Sequence, residues 1–253
     1  MNFPTDASRL ALRERPGTRP VMAMKWERLL FLHWSWDAAE VQRTLPPGLT
    51  VDTFDGRAWL GVVPFFMCGV RPTFAPAVPG LSDFLELNVR TYVFDEQGRP
   101  GVWFYSLDAN QWLAVKTARA LFHLNYQHAT MSAAVEPASG EVDYRARRRG
   151  HGGTVERESR FRYRAVGEAR VATAGSLEFF LVERYLLFAF DERRGRLGRG
   201  RVWHRPYEIS AAEVPLWDDV NLRLAGFAAP ARAPDHVGAA RRVEVEAWPL
   251  EFL

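Results

Sequence analysis

Only two side chains in this sequence could serve as a proton-exchanging or imine-forming amine, Lys25 and Lys116, because the other 31 of the Lys and Arg residues are arginines. An arginine keeps its proton in a protein, whereas a desolvated lysine can lose it and attack a carbonyl carbon. Lys116 lies in the stretch Asp108-Ala-Asn-Gln-Trp-Leu-Ala-Val-Lys-Thr-Ala-Arg119 and is the candidate for amine chemistry. Its competing reading is a helix lysine whose head reaches solvent. Glu86, Asn88 and Arg90 alternate with Leu87, Val89 and Thr91, so they share one face of a strand. Such a face is either a solvated exterior or the lining of a polar cavity. His204, in Trp203-His-Arg-Pro-Tyr207, could point inward as an acid/base group or serve as a hydrogen-bonded structural histidine.

Other chemistries find little purchase. His123 and His128 join no compact His/Cys/carboxylate cluster, so no metal is expected. The sequence has no P-loop, Gly-x-Gly-x-x-Gly, His-Glu-x-x-His or Gly-x-Ser-x-Gly, and no cofactor is expected. The basic concentration Arg145–Arg164 carries Phe161 and Tyr163 between Arg160, Arg162 and Arg164. Alternation puts the rings opposite the arginines, so stacking and phosphate contact could not share a surface, and nucleic acid is not expected as a partner. The spacing predicts that these aromatics pack inward while the arginines stay solvated, paired with Glu156 or Glu158.

The elements that must carry these residues are mostly short strands. Trp26–Trp36 reads as a strand, followed by a short helix capped by Asp37 and stopped at Pro46-Pro47-Gly48. Asp55-Gly56 predicts a hairpin joining 49–53 to 57–66. Strands are expected over 85–94, 102–106, 129–135, 141–147, 154–166 and 241–252, with a hairpin pairing 184–191 with 200–209. The apolar spacing of 110–124 predicts a central helix, Ser176 caps a second, and 214–224 reads as a third. Without βαβ alternation this is mainly β with inserted helices (α+β), a largely antiparallel sheet closed into a barrel. Residues 1–22 read as a loose arm and 23–253 as a single domain.

At 253 residues with 47% hydrophobic content the chain can bury a substantial core, and a net charge of +3 gives no strong electrostatic pull toward polyanions. Cys68, the single cysteine, rules out an internal disulfide and reads as a buried apolar group in a reduced, cytoplasmic protein. The longest apolar run, 59–70, is too short to span a bilayer, so no membrane is expected as a partner, and a homo-oligomer is left open.

The runs Phe84–Tyr92, Phe104–Asp108, Phe122–Tyr126, Ser176–Tyr185, Val202–Tyr207 and Val243–Leu250 together resemble the YqjF-like family, domain of unknown function 2071. That resemblance implies the fold of acetoacetate decarboxylase, a barrel-like sheet around an internal cavity. In those enzymes a lysine forms a Schiff base with a keto acid, a neighbouring lysine lowers its pKa, and a strand glutamate and an arginine line the cavity. The resemblance implies Glu86 as the glutamate and Lys116 as the amine, the two catalytic candidates. Asn88, Arg90, Arg119, His204 and Tyr207 become ligand-binding candidates for a small anionic, keto-acid-like molecule. Lys116 is followed by Thr117 and not by a second lysine, so a decarboxylase or related lyase stands beside a non-catalytic small-molecule-binding or interaction module.

Overall fold

The computed structural model describes residues 3–112, 124–149 and 157–253. Strand accounts for 54% and helix for 10%, which makes the class mainly β. The thirteen strands are β1 (Met22–Trp36), β2 (Leu49–Val51), β3 (Ala58–Pro72), β4 (Phe84–Asp95), β5 (Pro100–Ala109), β6 (Tyr126–Val135), β7 (Val142–Arg148), β8 (Ser159–Val171), β9 (Leu186–Asp191), β10 (Arg196–His204), β11 (Glu208–Leu216), β12 (His236–Ala247) and β13 (Glu251–Phe252). They form one large mixed sheet. Nine strands, β1-β3-β4-β5-β6-β7-β8-β11-β12, close into a ring because β12 pairs with β1. The β5–β6 pairing is parallel and the others in that ring are antiparallel. A second path also closes, from β5 through β9 and β10 back to β12.

The two rings share the run β12-β1-β3-β4-β5, and that sharing positions the site. One face of the shared run packs a core containing Phe31, Phe65, Phe84, Tyr92, Tyr207 and Val245. The opposite face packs a second core containing Leu32, Trp34, Leu87, Val89, Tyr144 and Phe161. β4 is therefore buried on both sides along nearly its whole length.

Helices are short. α1 (Asp6–Ala11) has a capping box between Thr5 and Ser8, α2 (Ala38–Gln42) is capped by Asp37, and α3 (Leu177–Val182) by Ser176. The last, α4 (Val220–Leu224), replaces the longer helix expected over 214–224, because Glu208–Leu216 runs on as β11. Most of the central helix expected at 110–124 lies outside the described residues. Among the described residues no helix is long and apolar enough to cross a membrane.

Three other expectations change. Asp55 and Gly56 do form a tight turn at positive φ closed by a Phe54–Arg57 bridge, but β2 pairs with β4 instead of completing a hairpin with β3. Cys68 is half-buried rather than fully enclosed. The N-terminal arm, irregular by composition, is anchored by specific polar contacts. Arg9 makes a two-pronged ion pair with buried Asp52 at 2.7 and 2.9 Å, and Arg13 reaches Glu183 at 2.9 Å. Arg201 and Trp203 donate to backbone carbonyls of residues 12–14. The basic strand pair follows the alternation: Phe161 and Tyr163 are buried, while Arg160, Arg162 and Arg164 face Asp143, Glu141 and Glu213. Glu158 pairs with Arg147 instead, and Glu156 lies outside the described residues.

Candidate functional site

The face of β4 that carries Glu86, Asn88 and Arg90 is the one turned toward the first core, and Tyr92 continues it two residues on. Glu86 is 3% exposed. Its Oε2 accepts the Tyr126 hydroxyl at 2.9 Å, across from parallel strand β6, and the Asn88 side chain supplies a second hydrogen bond. Burial nevertheless dominates and pushes the Glu86 carboxyl up to about 7, with Asp108 adding repulsion and the two hydrogen bonds opposing. A carboxyl balanced near neutrality can exchange a proton in either direction.

Four residues along from Glu86, Arg90 is half-buried with its guanidinium 5.5 Å from the Phe31 ring and 5.8 Å from the Tyr92 ring. No carboxylate among the described residues pairs with it. Its Nε is buried without a hydrogen-bond partner, and so is the Asn88 Oδ1. The Trp26 indole N–H, packed 5.8 Å from the Phe65 ring that neighbours Glu86 across β3, is a third buried polar atom without a partner. Buried polar atoms are normally satisfied, because each unmade hydrogen bond costs about 1–3 kcal/mol.

His204 and Tyr207 complete the wall. The His204 ring lies 4.7 Å from Tyr185 and 4.5 Å from Tyr207, and Tyr207 packs edge-on to Phe31 at 5.6 Å. His204 Nδ1 donates to the Arg205 carbonyl at 2.7 Å, and burial pulls its pKa below the usual histidine range, so the ring is neutral. Burial raises the Tyr207 hydroxyl, with nearby Arg90 opposing. Arg90, His204 and Tyr207 thus come together around Phe31, while Glu86 and Asn88 lie further along the same face of β4. Lys116 and Arg119 lie outside the described residues. Among the described residues no group of three or more His, Cys, Asp or Glu side chains is placed to hold a metal ion.

Several members escaped the sequence reading. Tyr92 has the same period-2 phase as Glu86, Asn88 and Arg90, so alternation could have flagged it. Tyr126 and Trp26 reach the site through sheet pairing, which leaves no local signal.

The family model of DUF2071, described as an uncharacterized conserved protein, matches residues 23–244. The chain belongs to this family. It is 33% identical over 232 residues to the uncharacterized protein YqjF of Bacillus subtilis (strain 168), covering 91% of each chain. Two solved structures share its fold. The enduracididine biosynthesis enzyme MppR complexed with pyruvate superposes with a TM-score of 0.63 at 16% identity, covering 94% of this chain and 93% of that one. Acetoacetate decarboxylase from Legionella pneumophila superposes with a TM-score of 0.59 at 12% identity, covering 95% and 92%. The DUF2071 chain therefore has the acetoacetate-decarboxylase-like fold that its motifs suggested.

Proposed function

We propose that this DUF2071 protein binds a small anionic, keto-acid-like metabolite in a central cavity against the inner face of β4. The observation that carries the reading is the pair of buried, unpartnered atoms Asn88 Oδ1 and Arg90 Nε, two and four residues along β4 from a carboxyl held near neutrality. Arg90 holds the ligand carboxylate, a contact its planar fork makes well. Asn88 accepts a hydrogen bond from the ligand, Glu86 exchanges a proton with it, and Tyr207 and His204 wall the site. The likeness to MppR, a structure holding pyruvate, supports the ligand class.

The catalytic form of the reading adds Lys116 as the amine and Arg119 as a further anion contact, on the sequence alone. A neutral lysine would condense with the ketone to an imine and water, and the resulting iminium would draw electrons as carboxylate carbon leaves as carbon dioxide. Thr117, where a second lysine would stand to activate the amine, favours the alternative, a binding module of the same fold without turnover.

Borohydride reduction in the presence of acetoacetate or pyruvate, read by intact mass, separates the two. The lyase reading expects a covalent adduct that disappears in Lys116→Ala. Thermal stabilisation by the same acids without any adduct supports the binding module, and absence of both removes the keto-acid reading.

A further inference from the structure

Behind Arg90 a row of side chains leads outward that none of the roles above employs. Tyr92 and His33 are fully buried, the His236 side chain is 13% exposed and that of Glu178, on α3, 25% exposed. The Tyr92 hydroxyl lies 2.7 Å from His33 Nε2, and His33 Nδ1 lies 3.0 Å from His236 Nδ1. His236 Nε2 is 3.9 Å from a Glu178 carboxylate oxygen, beyond direct hydrogen-bond reach and within the span of one bridging water. Backbone register holds the row: His33 pairs with His236 on one side and with Gly61 on the other, and Gly61 pairs with Arg90.

The hydrogens in this row can be assigned. Both imidazoles are neutral near pH 7, since burial drives His33 well below its usual value and His236 to about 4, with His236 and Arg90 adding to the effect on His33. Two neutral rings meeting Nδ1 to Nδ1 need one donor and one acceptor. The proton of His236 is placed on Nε2, the nitrogen that faces the Glu178 carboxylate. That leaves His236 Nδ1 bare, so His33 Nδ1 carries the hydrogen and His33 Nε2 accepts from Tyr92. Both hydrogen bonds in the row then point the same way, from the buried hydroxyl toward solvent.

We infer that Tyr92, His33, His236 and Glu178 form a proton relay between the inner face of β4 and the surface. When an acidic or hydroxyl group of a ligand bound beside Arg90 gives a proton to the Tyr92 oxygen, the Tyr92 hydrogen moves to His33 Nε2. The His33 Nδ1 hydrogen moves to His236 Nδ1, and the His236 Nε2 hydrogen passes to Glu178 through one bridging water. Each intermediate station gains one proton and loses one, the donor ends one proton poorer and Glu178 one richer, and no buried charge persists between them. Use of the relay in turnover rests on the ligand reading above, but the relay itself needs no ligand.

Ring-nitrogen NMR on the full chain labelled with 15N-histidine tests it. The expected result is the Nδ1–H tautomer at His33 and the Nε2–H tautomer at His236. The fully buried His33 ring hydrogen should exchange with solvent faster than the backbone amides of Leu32 and Trp34 beside it. His236→Gln keeps an acceptor carbonyl but passes no proton, and should slow that exchange by about 10²-fold, the scale of losing a positioned proton-transfer group. Glu178→Gln, at a half-buried position that folding tolerates, should slow it in the same direction. The Nε2–H tautomer at His33, or exchange no faster than those amides and unchanged in both variants, overturns the relay. Neither result depends on keto acids, so a failed ligand test and a failed relay are told apart.

Discussion

His33 and Arg90 occupy opposite flanks of Gly61, and both fit because Gly61 has no side chain. A Cβ there would lie 3.0 Å from His33 Cδ2, 3.2 Å from its Nε2 and 3.3 Å from Arg90 Cγ. Gly61 lies within β3, where glycine weakens a strand, and its presence marks a close approach of neighbouring groups.

Gly61→Ala is accordingly expected to cost about 1–3 kcal/mol by overpacking a closed site. Gly17→Ala, where nothing lies within 4 Å, should stay within about 0.5 kcal/mol of the parent, as ordinary surface changes do. Chemical denaturation of the two variants measures the difference. Equal midpoints would show that His33 and Arg90 yield freely.

Glu86 should make stability fall as pH rises. Its folded value near 7 exceeds its ordinary 4.5, so the native state binds more protons than the unfolded chain between those limits. Ionising it in place then costs on the order of 3 kcal/mol above about pH 7. Glu86→Gln should remove that slope between pH 4.5 and 7, as followed by denaturant midpoints across the range. An unchanged slope would mean that the carboxyl is ionised in the fold.

His236 has the opposite sign. Its folded value of about 4 lies below the ordinary 6.5, so its stabilisation is complete above pH 6.5 and is lost as pH falls toward 4. The loss should reach on the order of 2–3 kcal/mol. Replacing His236 by Gln should shrink this acid limb, with buried His33 keeping its own share of it, while leaving the Glu86 limb in place, which pH-resolved melting can verify.

Asp52 holds two buried arginines, Arg9 at 2.7 Å and Arg184 at 2.7 Å, and Arg184 also lies 4.4 Å from the Phe180 ring and 5.0 Å from that of Tyr92. Asp52→Asn leaves both cations without their charge partner and should cost about 3–5 kcal/mol. Arg9→Met leaves the Asp52–Arg184 pair intact and should cost clearly less. If the two variants melt alike, Asp52 is not the shared counter-charge that holds the arm.

The period-2 pattern of residues 84–93, the Asp37 and Ser176 caps, the Asp55-Gly56 turn and the family motifs were all legible in the sequence, because each is local chemistry within a few residues. That information was enough for a mainly β, largely antiparallel fold of the acetoacetate-decarboxylase-like kind, and for the shared face of Glu86, Asn88 and Arg90. It could not say whether that face met water. Two rings of strands share β4, so both its faces are buried, and this follows only from which distant strands pair. The same holds for β2, drawn to β4 instead of its nearest neighbour, and for α1, whose Arg9 finds its partner 43 residues away. His33, His236 and Tyr92 are scattered singly through the sequence, and sheet register alone brings them into one row. Local sequence sets what a segment can become, whereas burial, hydrogen-bond partners and proton affinity are set by what the rest of the chain packs against it.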